Sequence, residues 1–214
     1  MADNLYYNTV TPLLFKVLNR LMIEKEFKKF RLVGGTSLSL QLGHRFSVDI
    51  DLFTDAEYGS INFTAIDKYL RANYSYIQTS NVEEIGMGKS YFIGEKEELS
   101  VKLDLFYTDK FITTILEIDY IRLASVEEII AMKLEVIGNG GRKKDFWDIH
   151  ELTKKYSFKN MLKLHEKRSP YSHDAKLLKK KFVDFTTANE EPDPICLKGK
   201  VWELIKLDII DFVK

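Results

Sequence analysis

Residues 46 to 53 alternate between polar and apolar side chains, and the polar positions include two aspartates. Successive side chains of a strand point to opposite faces, so Ile50 and Leu52 share one face and Asp49 and Asp51 share the other. Two carboxylates held this way are close enough to bind one hard cation such as Mg²⁺. Because such pairs also arise by chance, the rest of the sequence has to decide whether this one binds a metal.

A glycine turn precedes the aspartate segment. Gly34 and Gly35 follow the short apolar segment 30–33, and Thr36 and Ser37 can open a helix behind them. Glycines let the backbone approach a phosphate closely, and a helix N-terminus offers free N–H groups and the positive end of the helix dipole. A strand, a Gly-Gly-Thr turn and a helix, followed by a strand with paired aspartates, are far more specific together than separately. They predict a site for a triphosphate and its metal.

A third carboxylate completes this pattern. Residues 100–107 alternate in the same way, which places Asp104 on the face opposite Leu103 and Leu105. On a strand beside Asp49 and Asp51, Asp104 would complete a two-metal site. Its role is either the base for an acceptor hydroxyl or a further metal ligand.

Composition and charge exclude several other classes of protein. Lys plus Arg and Asp plus Glu each number 32, so the whole molecule has no net field that attracts nucleic acid. The single cysteine, Cys196, excludes an internal disulfide and favours a reducing compartment, and the histidines lack zinc-ligand spacing. We find neither a signal sequence nor an apolar run of about 18 residues. We therefore expect a cytoplasmic protein without a membrane partner.

The order of the predicted elements favours an α+β fold. Helices and strands mix up to residue 122, and helices alone follow from 123 to 214. We expect a core at 1–122 that carries the site, and a helical region at 123–214 that completes the site and contributes to acceptor binding. The predicted elements are a helix from Thr11-Pro12 to about 25, strands at 30–33, 46–53, 74–79, 90–93 and 100–107, a helix capped by Asn62, a helix opened by a Ser125–Glu128 capping box, and helices at 144–156, 158–166, 174–185 and 200–213.

One stretch of the chain is strongly basic although the total charge is neutral. Residues 154–181 contain ten lysines and arginines and only two acids, Glu166 and Asp174. This stretch is either an ordinary solvated helical surface or a phosphate-contacting surface for an RNA acceptor. Both interpretations stay open from the sequence.

The segments 33–38 and 42–53, with their Val-Gly-Gly-Thr-Ser-Leu and Leu-Gly-His-Arg-Phe-Ser-Val-Asp-Ile-Asp-Leu-Phe sequences, carry a family resemblance. They resemble the AbiEii-type nucleotidyltransferase toxins, a branch of the polymerase-β-like superfamily. The likeness covers roughly residues 30–152. It includes a downstream set of charged residues, namely Lys133, Arg142, Lys144, Asp145 and Asp148. It implies a polymerase-β-like nucleotidyltransferase core with a mixed sheet and flanking helices.

The resemblance also implies roles for individual residues. In this family the glycine turn and the aspartate pair bind triphosphate and metal, and the downstream lysine and aspartates hold the nucleotide or position the acceptor. We predict Mg²⁺ or Mn²⁺ on Asp49, Asp51 and Asp104, and Lys133 as a further catalytic residue. The predicted nucleotide-binding residues are Gly34, Gly35, Thr36, Ser37, Arg45, Ser47, Arg142, Lys144, Asp145 and Asp148.

Simpler explanations exist for some of these side chains. Lys133 can extend into water from an otherwise apolar helix, and Lys144 and Asp148 have the spacing of a surface ion pair. Arg45 is either a phosphate contact or a structural ion-pair partner. Asp145 and Asp148 can orient Lys133 or Arg142 instead of binding metal. His44 is most simply a hydrogen-bonded turn residue.

The sequence thus predicts transfer of a nucleoside monophosphate from a nucleoside triphosphate to an acceptor. The resemblance implies a toxin of a toxin–antitoxin or phage-defence pair, a cognate antitoxin as partner, and tRNA or other RNA as the favoured acceptor. One alternative is transfer to a small molecule or protein. Another is a nucleotide-binding module without transfer activity, because longer family members carry a larger C-terminal helical region. A glycosyltransferase that uses Asp49 and Asp51 to bind a sugar nucleotide is a weaker alternative. It would need a nucleotide-binding α/β sheet ahead of the aspartates, and only one short strand precedes the glycine turn.

Overall fold

The computed structural model describes residues 4–80 and 86–214, and within them seven strands form one sheet. In spatial order the strands run β3-β4-β5-β2-β1-β7-β6. β2 is parallel to β5 and β1 is parallel to β7, whereas the other neighbours are antiparallel. The strands are β1 Arg31–Leu32, β2 Asp49–Thr54, β3 Tyr76–Thr79, β4 Gly88–Lys96, β5 Leu99–Tyr107, β6 Leu116–Ile118 and β7 Ile121–Leu123.

Helices flank the sheet and make up most of the chain after β7. They are α1 Pro12–Ile23, α2 Gly34–Leu42, α3 Phe63–Asn73, α4 Val126–Gly138, α5 Lys143–Leu152, α6 Phe158–Arg168, α7 Ala175–Lys181, α8 Thr186–Asn189 and α9 Trp202–Phe212. The predicted α+β class, a mixed sheet with flanking helices and a helical C-terminal part, is confirmed. The division into separate units at 122 and 123 stays a prediction. No helix in the described part of the chain is long and apolar enough to span a membrane.

Two of the predicted helix starts are formed by the expected side chains. Thr11 Oγ1 accepts a hydrogen bond of 3.0 Å from the backbone N–H of Leu14, and Pro12 occupies the first turn of α1. Asn62 Oδ1 accepts from Ala65 N at 2.9 Å and opens α3. Local polar capping therefore fixes where both helices begin.

The predicted capping box of α4 is only half formed. Ser125 Oγ accepts from the Glu128 N–H at 3.2 Å, but the Glu128 carboxylate does not return to Ser125. It is fully buried, where it accepts from Ile112 N at 2.7 Å and from Arg168 Nη1 at 2.6 Å. Glu128 thus ties α4 to the preceding loop and to α6, because a buried carboxylate is stabilised most by charged and multiple donors.

Other boundaries differ from the predicted ones. α5 ends at Leu152 and α7 covers only Ala175–Lys181, so the helices predicted at 144–156 and 174–185 are too long. The β6–β7 hairpin is absent from the sequence prediction. Its turn places Asp119 and Tyr120 at φ 51° and 64°, a conformation usually signalled by Asn-Gly or Asp-Gly, and tyrosine gives no such signal.

The two faces of the sheet pack against different sets of helices. On one face, Ile50 and Leu52 of β2 join a core with α1 and α3. Helices α4 to α9 enclose a second core, in which Trp202 stacks on Trp147 at 6.3 Å between ring centroids. The aspartates of β2 lie on the face that looks toward α4, since the same cavity is lined by Asp51 and residues of α4.

Candidate functional site

Two neighbouring parallel strands bring three carboxylates to one face of the sheet. β2 and β5 pair in register, with Asp49 opposite Lys102 and Asp51 opposite Asp104. Register partners on adjacent strands point to the same face, so Asp104 is the direct neighbour of Asp51. The structure therefore places together the three aspartates that the sequence singled out.

The three carboxylates are electrostatically crowded. Burial, together with the negative charges of Asp104 and Asp49, raises the pKa of Asp51 to about 6. Asp104 Oδ2 accepts from Lys102 Nζ at 2.5 Å, whereas its Oδ1 is buried without a hydrogen-bond partner in the described residues. Lys144 Nζ lies 3.6 Å from Asp49 Oδ2. Two lysines thus offset part of the negative charge.

The donor set suits a hard divalent cation. Among residues 4–80 and 86–214, no group of three or more His, Cys, Asp or Glu side chains is arranged to hold a metal ion. The carboxylates of Asp49, Asp51 and Asp104 are nevertheless oxygen donors of the kind Mg²⁺ and Mn²⁺ prefer. The orphan Oδ1 of Asp104 and the raised pKa of Asp51 are both features that a cation would relieve. The chemistry of these carboxylates therefore fits such a metal.

The glycine turn lies directly against the aspartates. Gly34 has φ +66°, and a Cβ there would come within 2.6 Å of Asp51 Oδ2, so only glycine satisfies both the backbone and the contact. α2 begins at this residue, and its N-cap, Val33, offers no side-chain acceptor. The first N–H groups of α2 are therefore open beside the carboxylates, as an anion site requires.

The hydroxyls behind the glycine turn serve mainly to hold the turn. Thr36 Oγ1 donates to the backbone carbonyl of Asp49 and lies 2.8 Å from Ser47 Oγ, which joins α2 to the start of β2. Ser37 is fully buried and its Oγ accepts from Gln41 Nε2 at 3.1 Å. The hydroxyls of Thr36 and Ser37 do not line the cavity, so a nucleotide contact at these two residues would have to use backbone N–H groups.

A buried ion cluster lies behind the carboxylate face. The fully buried Asp148 carboxylate accepts from Arg45 Nε at 2.6 Å and Nη2 at 2.9 Å, and it lies 2.7 Å from both Lys133 Nζ and His44 Nε2. Lys133 Nζ also contacts Asp145 Oδ1 at 2.5 Å. Burial alone would raise the pKa of Asp148, but Arg45 and Lys133 hold that pKa well below its usual value. Burial likewise disfavours charge on Lys133, yet Asp148 and Asp145 raise its pKa, so the ammonium is cationic.

Gly35 controls the position of the Arg45 guanidinium. A Cβ at Gly35 would come within 2.2 Å of Arg45 Nη2. The second glycine of the turn therefore leaves room for the arginine, which is buried and also lines the cavity. The two glycines thus serve two different close approaches, one to a carboxylate and one to a guanidinium.

Two of the simpler explanations from the sequence are wrong, and two agree with the structure. Lys133 is buried and does not extend into water. Lys144 does not form a surface pair with Asp148, because Asp148 is buried against Arg45 and Lys144 approaches Asp49 instead. Arg45 is an ion-pair partner that also borders the cavity. Asp145 and Asp148 orient Lys133, in agreement with one of the sequence interpretations.

Sequence reasoning misses two supports of this site. His44 is predicted to be a hydrogen-bonded turn residue, but the sequence does not indicate that its partner is Asp148 inside the ion cluster. The segment 195–197 also pairs with residues 44–46: Phe46 N donates to Ile195 O at 2.8 Å and Leu197 N donates to His44 O at 3.0 Å. No local pattern in a turn-rich segment signals a partner about 150 residues away in the chain.

These residues surround a cavity of about 170 Å³. Apolar side chains of α4, with Phe53 and Val33, form one part of its wall. Of the residues predicted to act in the site, the cavity is lined by Gly34, Gly35, Arg45, Ser47, Asp49, Asp51, Lys133, Arg142, Lys144 and Asp145. Thr36, Ser37, Asp104 and Asp148 lie behind or beside the lining. The roles of all of these residues stay predictions.

A family model described as nucleotidyl transferase AbiEii toxin, type IV TA system, matches residues 16–208. The chain belongs to the AbiEii nucleotidyltransferase toxin family. Membership in this family supports nucleotidyl transfer as the class of reaction, and a nucleoside triphosphate as substrate. An uncharacterized protein of Aquifex aeolicus (strain VF5) is 31% identical over 175 residues, which is 76% of either chain.

Solved structures show the same fold for this AbiEii-family chain. A candidate nucleotidyltransferase from H. pylori aligns with a TM-score of 0.56 and 24% identity, over 97% of this chain and 94% of that one. MenT4, a nucleotidyltransferase toxin from Mycobacterium tuberculosis H37Rv, aligns with a TM-score of 0.60 and 13% identity, over 94% of this chain and 80% of that one. At these identities the likeness establishes the fold, and the predicted nucleotidyltransferase core is confirmed.

We expect Asp148→Asn to destabilise the protein by about 3–5 kcal/mol at pH 7, because it leaves Arg45 and Lys133 buried without their shared carboxylate. Denaturant unfolding measures this difference. As a control, Asp211→Asn removes one partner of an exposed pair with Lys214 and should cost no more than about 1 kcal/mol.

The pH dependence of stability in wild type and in Asp148→Asn tests the same assignment. The folded-state pKa of Asp148 is depressed, so its stabilisation is fully present above the unfolded pKa of about 3.9 and is lost as the pH falls toward the folded value. The stability difference between wild type and Asp148→Asn should therefore shrink below about pH 4. A difference that stays constant from neutral pH to about pH 2 would contradict this assignment.

Proposed function

We propose that this protein transfers a nucleoside monophosphate from a nucleoside triphosphate to an RNA acceptor. The observation that carries the proposal is one cavity that combines strand carboxylates, an uncapped helix N-terminus and the cations Lys133, Arg142 and Lys144. Carboxylates alone would suit metal storage, and cations alone would suit many anions. Their combination suits a triphosphate with its metal, since that ligand carries both kinds of charge.

The triphosphate lies at the N-terminus of α2 in this proposal. The N–H groups that follow Gly34 and Gly35 donate to phosphate oxygens, and Lys133, Lys144 and Arg142 offset their charge. Lys133 keeps its position and its proton because Asp145 and Asp148 hold it from behind. The nucleobase lies against the apolar part of the wall, which includes Phe53 and Met132.

Asp49, Asp51 and Asp104 hold Mg²⁺ or Mn²⁺ when the metal is bound. The metal supplies charge neutralisation on the phosphate oxygens. The crowding that raises the pKa of Asp51 supports this role, because bringing such carboxylates together is unfavourable unless a cation joins them.

The transfer step is a displacement at the α-phosphorus. The acceptor hydroxyl oxygen forms a bond to the α-phosphorus while the bond from that phosphorus to the bridging oxygen of pyrophosphate breaks. Asp104 accepts the hydroxyl proton, since its Oδ1 has no other partner among the described residues. Pyrophosphate leaves from the α2 side of the cavity.

RNA, with tRNA foremost, is the proposed acceptor because the basic stretch 154–181 lies on the helices that follow the site. The family description supports the role of a toxin with an antitoxin as its partner. We extend this to defence against phage as the setting in which the toxin acts. Triphosphate binding without turnover on RNA, protein or small-molecule acceptors would instead favour a nucleotide-binding module.

We expect Asp49→Asn and Asp51→Asn each to abolish detectable transfer, because each removes a negative metal ligand. The assay incubates the protein with labelled nucleoside triphosphates, Mg²⁺ and total RNA, and follows label in RNA and in protein. Asp211→Asn, which changes an exposed carboxylate on α9, should retain wild-type activity. Transfer that survives the double change of Asp49 and Asp51 would refute the proposed site.

Divalent metal should also stabilise the folded protein in the absence of any acceptor. A ligand that binds only the folded state raises its unfolding free energy, by about 2.7 kcal/mol at 100 times its dissociation constant. We therefore expect Mg²⁺ or Mn²⁺ to raise the melting temperature of wild type and of Asp211→Asn, but not of Asp51→Asn. Equal shifts in all three proteins would place the metal elsewhere.

Gly35→Ala should lower transfer about 100-fold, because the added methyl would displace the Arg45 guanidinium and with it the Lys133 side of the ion cluster. The steady-state rate and the triphosphate affinity measure this effect. Gly86→Ala is the matched control, since a Cβ there meets no atom of the described residues within 4 Å. Wild-type activity in Gly35→Ala would show that the position of Arg45 does not matter for the reaction.

A further inference from the structure

A second, larger cavity opens beside the carboxylate cavity. It has a volume of about 890 Å³ and lies between the loop 108–112 and residues 167–172 at the end of α6, with α4 as its floor. Met132 and Val136 of α4 line both cavities. The two spaces therefore adjoin along one strip of α4, and we call the larger one the acceptor groove.

The acceptor groove carries charges of both signs, and its exposed cations are lysines. Arg168 is neutralised by the buried Glu128, and Glu135 is engaged by His165 at 2.8 Å. Lys110 and Lys167 are exposed at the groove, and Lys167 joins its two walls by donating to the backbone carbonyl of Ile112 at 2.9 Å. Asp109 is an exposed acid at the rim.

A row of lysines leads to this groove along α6. Lys159, Lys163 and Lys167 follow one another at four-residue intervals, so they share one face of the helix, and all three are exposed. Glu166 is the acid beside them on α6. We call these three residues the lysine row, and it ends where the groove begins.

An aromatic ring stands at the rim of the groove. Tyr171 is fully exposed, although the loop that carries it is fastened at both ends. Ser169 N donates to His165 O at 2.8 Å, Ser172 N donates to Ser169 O at 3.2 Å, and the Nδ1 atoms of His165 and His173 lie 2.9 Å apart. A solvent-exposed aromatic side chain on a tethered loop is suited to stack on an unpaired base.

We propose that the acceptor groove and the lysine row bind the single-stranded 3′ end of the RNA acceptor. The row contacts phosphates, Tyr171 stacks on a base, and the strand passes over Met132 and Val136 so that its terminal hydroxyl reaches Asp104. A single strand is required because stacking on Tyr171 needs a base that is free on one face. The three exposed lysines of the row favour RNA over a protein acceptor. This inference rests on the proposed function and deepens it by naming the acceptor surface.

Binding of a fluorescently labelled single-stranded RNA of about 12 nucleotides tests the proposal directly. We expect Lys159→Ala combined with Lys163→Ala to weaken binding and to reduce the slope of log affinity against log salt by about 1.4, at about 0.7 for each phosphate that a lysine no longer neutralises. Tyr171→Ala should weaken binding about tenfold with an unchanged slope, because it removes stacking and no charge.

The matched control combines Lys28→Ala with Lys68→Ala. It removes the same charge from two exposed lysines. Lys68 lies on α3, and Lys28 follows the 3-10 turn Lys25–Phe27 beside α3, so both are on the face of the sheet opposite the site. RNA binding by this variant should match wild type. Equal losses in the control and in the lysine-row variant would overturn the proposal, as would equal affinity of wild type for a fully paired duplex.

The same proteins separate this inference from the proposed function. If wild type transfers label to no acceptor although RNA binding depends on the lysine row and Tyr171, the function fails and the binding surface stands. If the Lys159→Ala/Lys163→Ala variant and the Tyr171→Ala variant both transfer label to RNA at wild-type rates, the proposed binding surface is refuted and the proposed function stands. Label recovered on protein and not on RNA would overturn the choice of acceptor.

Discussion

The Asp148 carboxylate is the point on which the arrangement of the site depends. It is fully buried, and it joins Arg45 and His44 of the loop before β2 to Lys133 of α4. A buried charge of this kind is tolerated only when several charged donors surround it. The same contacts therefore fix three separate chain segments against one another. They also keep the Lys133 ammonium protonated and hold it at the edge of the carboxylate cavity.

The carboxylate face shows the opposite balance of charge. Asp51 is held beside Asp104 by strand register and against Gly34 by the turn, and neither contact neutralises it. Its raised pKa is the electrostatic cost of this geometry. Such a cost is expected where a protein is shaped for a ligand of opposite charge. The charges of the buried cluster around Asp148 are thus balanced, whereas the carboxylates of Asp49, Asp51 and Asp104 carry excess negative charge. Lys133 of the balanced cluster lines the cavity beside these carboxylates.

The C-terminal helices do more than cover the sheet. α4 contributes Lys133 to one cavity, while Met132 and Val136 border both cavities. The segment 195–197 pairs with residues 44–46 and so braces the loop that carries Arg45. Loss of packing around Trp202 would therefore reach the site through these contacts.

The sequence by itself determined the fold class, the glycine turn and the strand faces that carry Asp49, Asp51 and Asp104. These features depend on local rules: alternation along a strand, the backbone freedom of glycine, and polar caps such as Thr11 and Asn62. Family resemblance added Lys133, Arg142, Lys144, Asp145 and Asp148. The tertiary structure alone decided which of these charges meet. Lys144 faces Asp49 and not Asp148, Glu128 leaves its capping box for Arg168, and His44 enters the ion cluster. Each of these pairings joins segments distant in sequence, and burial rather than spacing selects the partner, so no local pattern could have shown them.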